Sequence, residues 1–491
     1  MDAFAFRTPL SLRSSTMLEY TTSGLRARTH RPGDAPSARA TVQTSLAPGA
    51  LDLRSLVPIM FAFMLRNIAS NGFVYSDPQA PGDVSRDSKP GCVIAAPSFP
   101  AQTPGIDQDY VFNWVRDGAI TVMEVVRSGL PAGPDGTVPT LDDYVRFADL
   151  CRSHARPPLT QGHACYTIAG EARPWTEQND GPALQTSTVL AAWDQLGAGT
   201  REQAVDLVNS NVAYLLGVFE EPTTNLWEEH NGYSFFARSA QLRCFEEIQA
   251  STIAGIDKPA TLRPAADRLR RALAEHWDGG MYVSVLADPG NGAPPSPRNP
   301  VVAGYDPNID IVQAAVYGAV PVTDTKLLAT AARLRSQWEE GGPAFYPINK
   351  SDREGRGIGP MFGRYPDDVY GGDTAHPQRG GHPWALSTCN VAELHYKLAA
   401  EIRTRDAVPV DDLSTPFFAQ SGIDASTPPT AAATALTATG DAMVRAVVYH
   451  SDHLELSEQF DGTTGYQRSV RNLTWSYAAY LSAMRARAEA V

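Results

Sequence analysis

From residue 56 onward the apolar positions recur at helical spacing, and the segments they define alternate between two kinds. One kind carries an apolar stripe and a polar face, at 56–70, 141–154, 201–218, 259–277, 323–338 and 430–449. In the third of these Ala204, Leu207, Val208, Val212, Leu215 and Leu216 form the stripe, and Thr200 with Gln203 offers a capping box at its start. The other kind is more apolar, at 117–127, 182–196, 233–250, 308–317, 383–402 and 473–484. Strand-like runs such as 92–96 are short and few. The stretches 286–302, 346–364 and 411–430 are rich in Gly, Pro, Ser or Asp and read as loops.

Six half-wet helices alternating with six buried ones predict an all-α fold, a six-fold α/α toroid with long loops at one end. Each buried helix follows a loop holding acids, arginines or tryptophans. In a closed ring those six loops open at the same end, and the helix N-termini with their free N–H groups line one pit. The domain reading is an irregular segment over 1–55 and a catalytic barrel over 56–491.

Composition narrows the ligand. The chain of 491 residues has 54 Asp and Glu against 41 Lys and Arg, a net charge of −13. That balance disfavours a nucleic-acid surface or an anionic membrane and suits a neutral ligand. The longest apolar run, from Leu56 to Leu65, is too short to span a bilayer. Cys92, Cys151, Cys165, Cys244 and Cys389 match no zinc spacing and read as buried thiols. With no secretory h-region visible, the expectation is a cytoplasmic protein, non-classical export remaining open, and a monomer without metal or cofactor.

The third loop, Asn225-Leu226-Trp227-Glu228-Glu229-His230-Asn231-Gly232, sets two carboxylates behind a tryptophan. The sixth carries Ser457-Glu458-Gln459, and loops three and six face each other across a six-fold ring. Opposed carboxyls suit glycoside hydrolysis, which needs a proton for the departing oxygen and a base or nucleophile on the other ring face. Apolar neighbours and the adjacent Glu229 should raise the pKa of Glu228, while Glu458 stays ionised. Arg116 with Asp117, and the fork of Arg364, supply hydroxyl contacts. Trp114, Trp227, Trp384 and Trp475 offer flat faces, though each tryptophan also fits core packing and Arg116-Asp117 also fits a helix-start ion pair.

Six motifs then carry a resemblance. They are Tyr110-Val111-Phe112-Asn113-Trp114-Val115-Arg116-Asp117, Gln178-Asn179-Asp180-Gly181-Pro182, Leu226-Trp227-Glu228-Glu229, Gly363-Arg364-Tyr365-Pro366, Pro383-Trp384, and Leu456-Ser457-Glu458-Gln459 with Leu473-Thr474-Trp475. Over roughly 56–487 the chain resembles glycoside hydrolase family 15, the glucoamylases and their relatives. The resemblance implies an inverting exo-acting α-glucosidase releasing β-glucose, with Glu228 as general acid and Glu458 as general base. It implies that Tyr110, Trp114, Arg116, Asp117, Glu229 and Arg364 hold the terminal glucose or its neighbour, with Leu226, Trp227, Trp384 and Trp475 completing the binding set. The implied partner is an α-glucoside or a malto- or isomalto-oligosaccharide.

The chain departs from the family at Asn225 and Asn472, where Asp is common, and at His382, where Asn precedes Pro-Trp. It also departs in an insertion over 371–381. These changes spare the acid and base and bear on the far side of the scissile bond. Trp175 is given no role, because its spacing to Asp180 is one residue short. No starch-binding module or N-terminal β-sandwich is recognisable, so the expected substrate is a short α-glucoside, an α-1,6-linked disaccharide or a glucosylated small molecule. The competing readings are an inverting phosphorylase, using phosphate in place of Glu458, and an inactive carbohydrate-binding regulatory domain.

Overall fold

The computed structural model describes residues 16–21, 24–29, 52–70, 88–98, 109–129, 133, 135–290, 293–371 and 380–491. Most of 1–55 and of the 371–381 insertion lies outside the described residues. Within 1–55 the described part holds an antiparallel pair, β1 (Thr16–Thr21) and β2 (Gly24–Thr29), and a 3-10 turn at Leu53–Leu56, where an irregular segment was expected.

Six helices make the inner ring: α2 (Val115–Arg127), α4 (Asp180–Ala192), α6 (Phe235–Ala250), α8 (Asp310–Val316), α11 (Ala385–Arg405) and α14 (Thr474–Ala490). Each packs on the next in that order, and α14 returns to α2, so the ring closes. Six more alternate with them in the chain: α1 (Val57–Leu65), α3 (Pro139–His154), α5 (Ala198–Val218), α7 (Leu262–Ala274), α9 (Thr325–Trp338) and α13 (Pro429–His450). Burial separates the sets: every residue of α8 is buried, whereas α5 buries chiefly its predicted stripe. This is the six-fold α/α toroid that the periodicity predicts.

Several local expectations change. The 346–364 stretch contains α10 (Pro347–Arg356), started by Pro347 and stopped by left-handed Gly357, and 411–430 contains the short α12 (Thr415–Ala419). The Thr200–Gln203 capping box does not form, because α5 begins three residues earlier than the spacing predicts, at Ala198. Its preceding Gly197 N–H is taken by Asp142 at 2.9 Å. Thr200 instead accepts from Arg146, and Gln203 donates to Asp149, lashing α5 to α3.

At each inner-helix start one N–H is already used by the following loop around the ring: Val115 on Ala164 O, Phe235 on Ser284 O, Ala385 on Glu458 O and Thr474 on Ala95 O, with Asn179 on Thr223 Oγ1 and Ile309 on Arg364 O from the residues just ahead of α4 and α8, all between 2.8 and 3.2 Å. Each lead-in loop is thus clasped by the helix before it, and the last pair joins the end of the chain to its beginning. Short strands brace the same rim: β3 (Asn113–Trp114) pairs with β4 (Cys165–Tyr166), β6 (Asn231–Ser234) lies between β5 (Thr223–Thr224) and β7 (Val285–Leu286) and pairs with both, and β8 (Gln459–Phe460) pairs with β9 (Gln467–Arg468).

Candidate active site

The rim loops enclose a pocket of about 430 Å³. Its wall includes Tyr110, Trp114, Arg116, Asp117, Leu226, Trp227, Glu228, Glu229, Arg364, Trp384, Glu458 and Trp475, so every site residue expected from the sequence faces one chamber. The sequence reading passed over Asp109, Arg173, Trp175 and Tyr370, which share the wall. Behind the wall the Tyr317 hydroxyl accepts from Trp475 Nε1 at 3.1 Å and from Asn390 Nδ2 at 2.8 Å, so a bonded layer backs the Trp475 face of the pocket.

Glu228 sits on a tight turn with φ of 64°, a conformation that a non-glycine residue holds only when its surroundings fix it. The fixing group is the fully buried Asn225. Its side-chain oxygen accepts from the Glu229 and His230 N–H groups, each at 3.0 Å, while its carbonyl accepts from Glu228 N at 3.0 Å. Successive carboxylates therefore point to different partners.

Glu228 receives the Trp175 indole N–H at 2.9 Å and lies 3.9 Å from Arg116. Burial lifts its pKa above the usual carboxylate value. Arg116 pulls it back, Asp117 adds to the lift, and the Trp175 and Trp114 indoles pull it down. The acid that reinforces the lift is thus Asp117 and not Glu229, contrary to the reading from adjacency. Glu229 turns away, accepting from Arg364 at 2.9 Å, Tyr305 at 3.0 Å and Tyr365 at 2.9 Å.

On the other wall Glu458 accepts from Tyr110 at 3.0 Å, Tyr370 at 3.1 Å and Ser469. Burial raises its pKa as well. The hydroxyls of Ser469, Tyr110 and Tyr370, and the charge of Arg364, draw it back toward the ionised form.

The two arginines are oriented by acids outside the motif pairs. Asp180, the first residue of α4, accepts from Arg116 Nη1 at 3.2 Å. Asp368 accepts from Arg364 Nε at 2.8 Å and Nη2 at 2.7 Å. Several pocket-residue atoms remain buried without a hydrogen-bond partner among the described residues: Asp117 Oδ2, Glu228 Oε1, Arg116 Nε and Trp384 Nε1. Arg116 Nε faces Asp117 Oδ2 at 3.4 Å and Glu228 Oε1 lies 3.9 Å from Arg116, so charge compensates these three atoms in part while leaving them able to bond a ligand that both donates and accepts. Tryptophans 227 and 384 lie 5.4 Å apart and line the pocket while also packing, so the two readings of these rings are compatible.

The three family departures lie behind the wall. Asn225 holds the Glu228 turn. His382 is buried, accepts from Gly462 N–H at 3.3 Å and is pushed down to about 4 by burial, with Arg468 adding to the shift. Asn472 accepts from Tyr477 and donates to Glu455 ahead of α14. None of them lines the pocket, so they bear on its support and not directly on the far side of the scissile bond.

A closed α/α toroid whose one rim gathers opposed carboxylates, guanidinium forks and indole faces defines a carbohydrate-cleaving barrel. The chain belongs to the glycosyl hydrolases family 15, which it matches over residues 69–485, and it is a glycoside hydrolase. It is 27% identical over 470 residues to a glucoamylase of Blastobotrys adeninivorans, covering 86% of this chain and 70% of that one. It is also 27% identical to an intracellular, sporulation-specific glucoamylase of Saccharomyces cerevisiae, covering 83% and 81%. In three dimensions it resembles the glucoamylase from Saccharomycopsis fibuligera with a TM-score of 0.71, at 21% identity over 89% of this chain and 95% of that structure.

Proposed function

We propose that the protein is an inverting, exo-acting α-glucosidase that releases β-glucose from the non-reducing end of an α-glucoside or α-glucan. Glu228 is the general acid and Glu458 the general base. The observation that carries this reading is that the two carboxyls share one chamber but have different partners. Glu228 has its proton favoured by burial and by Asp117, against Arg116 and the two indoles that draw it back. Glu458 meets three hydroxyl donors that favour its anion.

Glu228 gives its proton to the glycosidic oxygen as the C1–O bond breaks. Glu458 takes a proton from a water that attacks C1 from the opposite face, which inverts the anomeric centre. The terminal glucosyl unit is held by Arg116, Asp117, Arg364 and Glu229, against Tyr110, Trp114, Leu226, Trp227, Trp384 and Trp475. Developing positive charge on the sugar is opposed by the carboxylates around it.

Glu228→Gln is expected to slow alkyl α-glucoside hydrolysis by about 10²- to 10⁴-fold. It should slow α-glucosyl fluoride much less, because fluoride departs with little protonic help. Glu458→Gln should slow both substrates alike. Proton NMR of the first-formed sugar should show the β-anomer; an α-anomer as first product would replace inversion with retention.

A further inference from the structure

One cation in the pocket wall has no part in the proposed reaction. Arg173 lies over the rings of Phe112 at 3.8 Å, Trp175 at 4.5 Å and Trp114 at 6.0 Å. Unlike Arg116 and Arg364, it pairs with no carboxylate among the described residues, and its Nη1 is buried without a hydrogen-bond partner. The side chain is half-buried, and aromatic faces compensate a guanidinium only in part, so rings alone leave its charge incompletely matched. Because this half-buried side chain lines the pocket, a charge kept in place by rings is presented to whatever ligand enters there.

Its position says which part of a substrate it meets. The Arg116–Asp117 and Arg364–Glu229 pairs belong to the chamber side assigned to the terminal glucosyl unit. Arg173 stacks on Trp175, the 40% exposed indole that donates to Glu228. A general acid protonates the departing oxygen, so side chains grouped around its outer edge border the leaving group.

The sign and shape of the ligand follow from the surroundings. The wall already holds Asp109, Asp117, Glu228, Glu229 and Glu458 against only three arginines. A dianion would meet strong repulsion there, whereas a planar carboxylate matches the guanidinium edge and adds a single charge.

We infer that Arg173 is a specificity-determining residue on the leaving-group side and that the preferred substrate is an α-glucoside whose aglycone carries a carboxylate. This rests on the hydrolase reading above and adds the substrate class to it.

A matched pair of glucosides tests the inference: the α-glucosides of 4-hydroxybenzoate and of 4-hydroxybenzamide, which differ at the remote group chiefly in charge. For the wild-type protein kcat/KM is expected to be at least about tenfold higher for the carboxylate, as a charge-assisted hydrogen bond implies. That ratio should shrink as ionic strength rises. In Arg173→Gln the ratio should fall to about one, mainly through KM, and Arg173→Lys should restore part of it.

A wild-type ratio of one or less overturns the inference. So does a ratio that Arg173→Gln leaves unchanged, or an equal loss on both glycosides, which would mark Arg173 as a brace for the aromatic wall. Should the Gln variant not fold, the wild-type ratio and its salt dependence decide. Glucose released from both glycosides without preference removes the inference alone. No glucose from either glycoside or from maltose removes the hydrolase reading, and the inference falls with it.

Discussion

At the scale of single residues, the site depends on what surrounds each carboxylate. The Trp175 indole donates to the ionised form of Glu228, so its removal disfavours that form and raises the pKa further. A general acid works while protonated. Trp175→Phe should therefore move the alkaline limb of the kcat/KM profile to higher pH, as a pH–rate series would show. Asn225 supports the same loop from behind. Asn225→Ala leaves the Glu229 and His230 N–H groups without their acceptor and should cost about 1–3 kcal/mol in urea denaturation, with a fall in kcat as the Glu228 turn relaxes. The residues that carry charge into the reaction were legible because the chemistry demands their type beside tryptophan or serine in a recognisable order. Trp175, Tyr370, Ser469 and Asp368 were not. Their contribution is a hydrogen bond made across loops, and an isolated aromatic or Asp in a Gly-rich stretch has no spacing that reveals such a partner. The direction in which Glu229 points was hidden for a related reason: adjacency in sequence says nothing about a turn held at positive φ.

At the scale of elements, the alternation of wet and buried helices was readable because each outer helix has a solvent face and each inner helix lacks one. The α10 helix was missed because its surface is polar and glycines flank it, so its apolar anchor Ile348 gave no periodicity of its own. The loop leading into α8 holds a different kind of information. Asp306 and Asp310 share Ser284, the first accepting its N–H and the second its hydroxyl, deep in the fold. Burial raises Asp306 to about 8, with the Ser284 N–H pulling it back and Asp310 adding to the rise. Burial raises Asp310 to about 7, with the Ser284 hydroxyl opposing. Both are harder to ionise folded than unfolded, so they favour the folded chain fully only below the ordinary carboxylate pKa. That stability is lost as pH climbs through their folded values. Melting temperature should accordingly fall from about pH 5 to 8, and Asp310→Asn should flatten part of that slope in a calorimetric series. A variant as steep as the parent protein would show that Asp310 is not one of the titrating groups.

At the scale of the whole molecule, closure of the ring is made twice. The packing of α14 on α2 closes it in the core. The Thr474 N–H on Ala95 O closes it at the rim, completing a cycle in which every inner helix grips the next loop. Local opening of one loop must break its neighbour's grip, so the amides of Val115, Phe235, Ile309, Ala385 and Thr474 should exchange with solvent deuterium as a slow set. Two or three of them exchanging orders of magnitude faster would divide the rim into independent parts. The sequence could announce six loops in phase, but not that their backbone donors were already committed to each other, because a carbonyl acceptor leaves no mark on residue type. The bonded layer of Tyr317, Asn390 and Trp475 behind the pocket wall has a kinetic consequence for the reaction proposed. With that layer backing the chamber, a glucose severed by the proposed exo reaction lies behind the fragment it was cut from and departs second, past the mouth the next molecule needs. Accumulated glucose would then act as a competitor for the same cul-de-sac, and the turnover rate would be governed as much by clearing it as by breaking the bond.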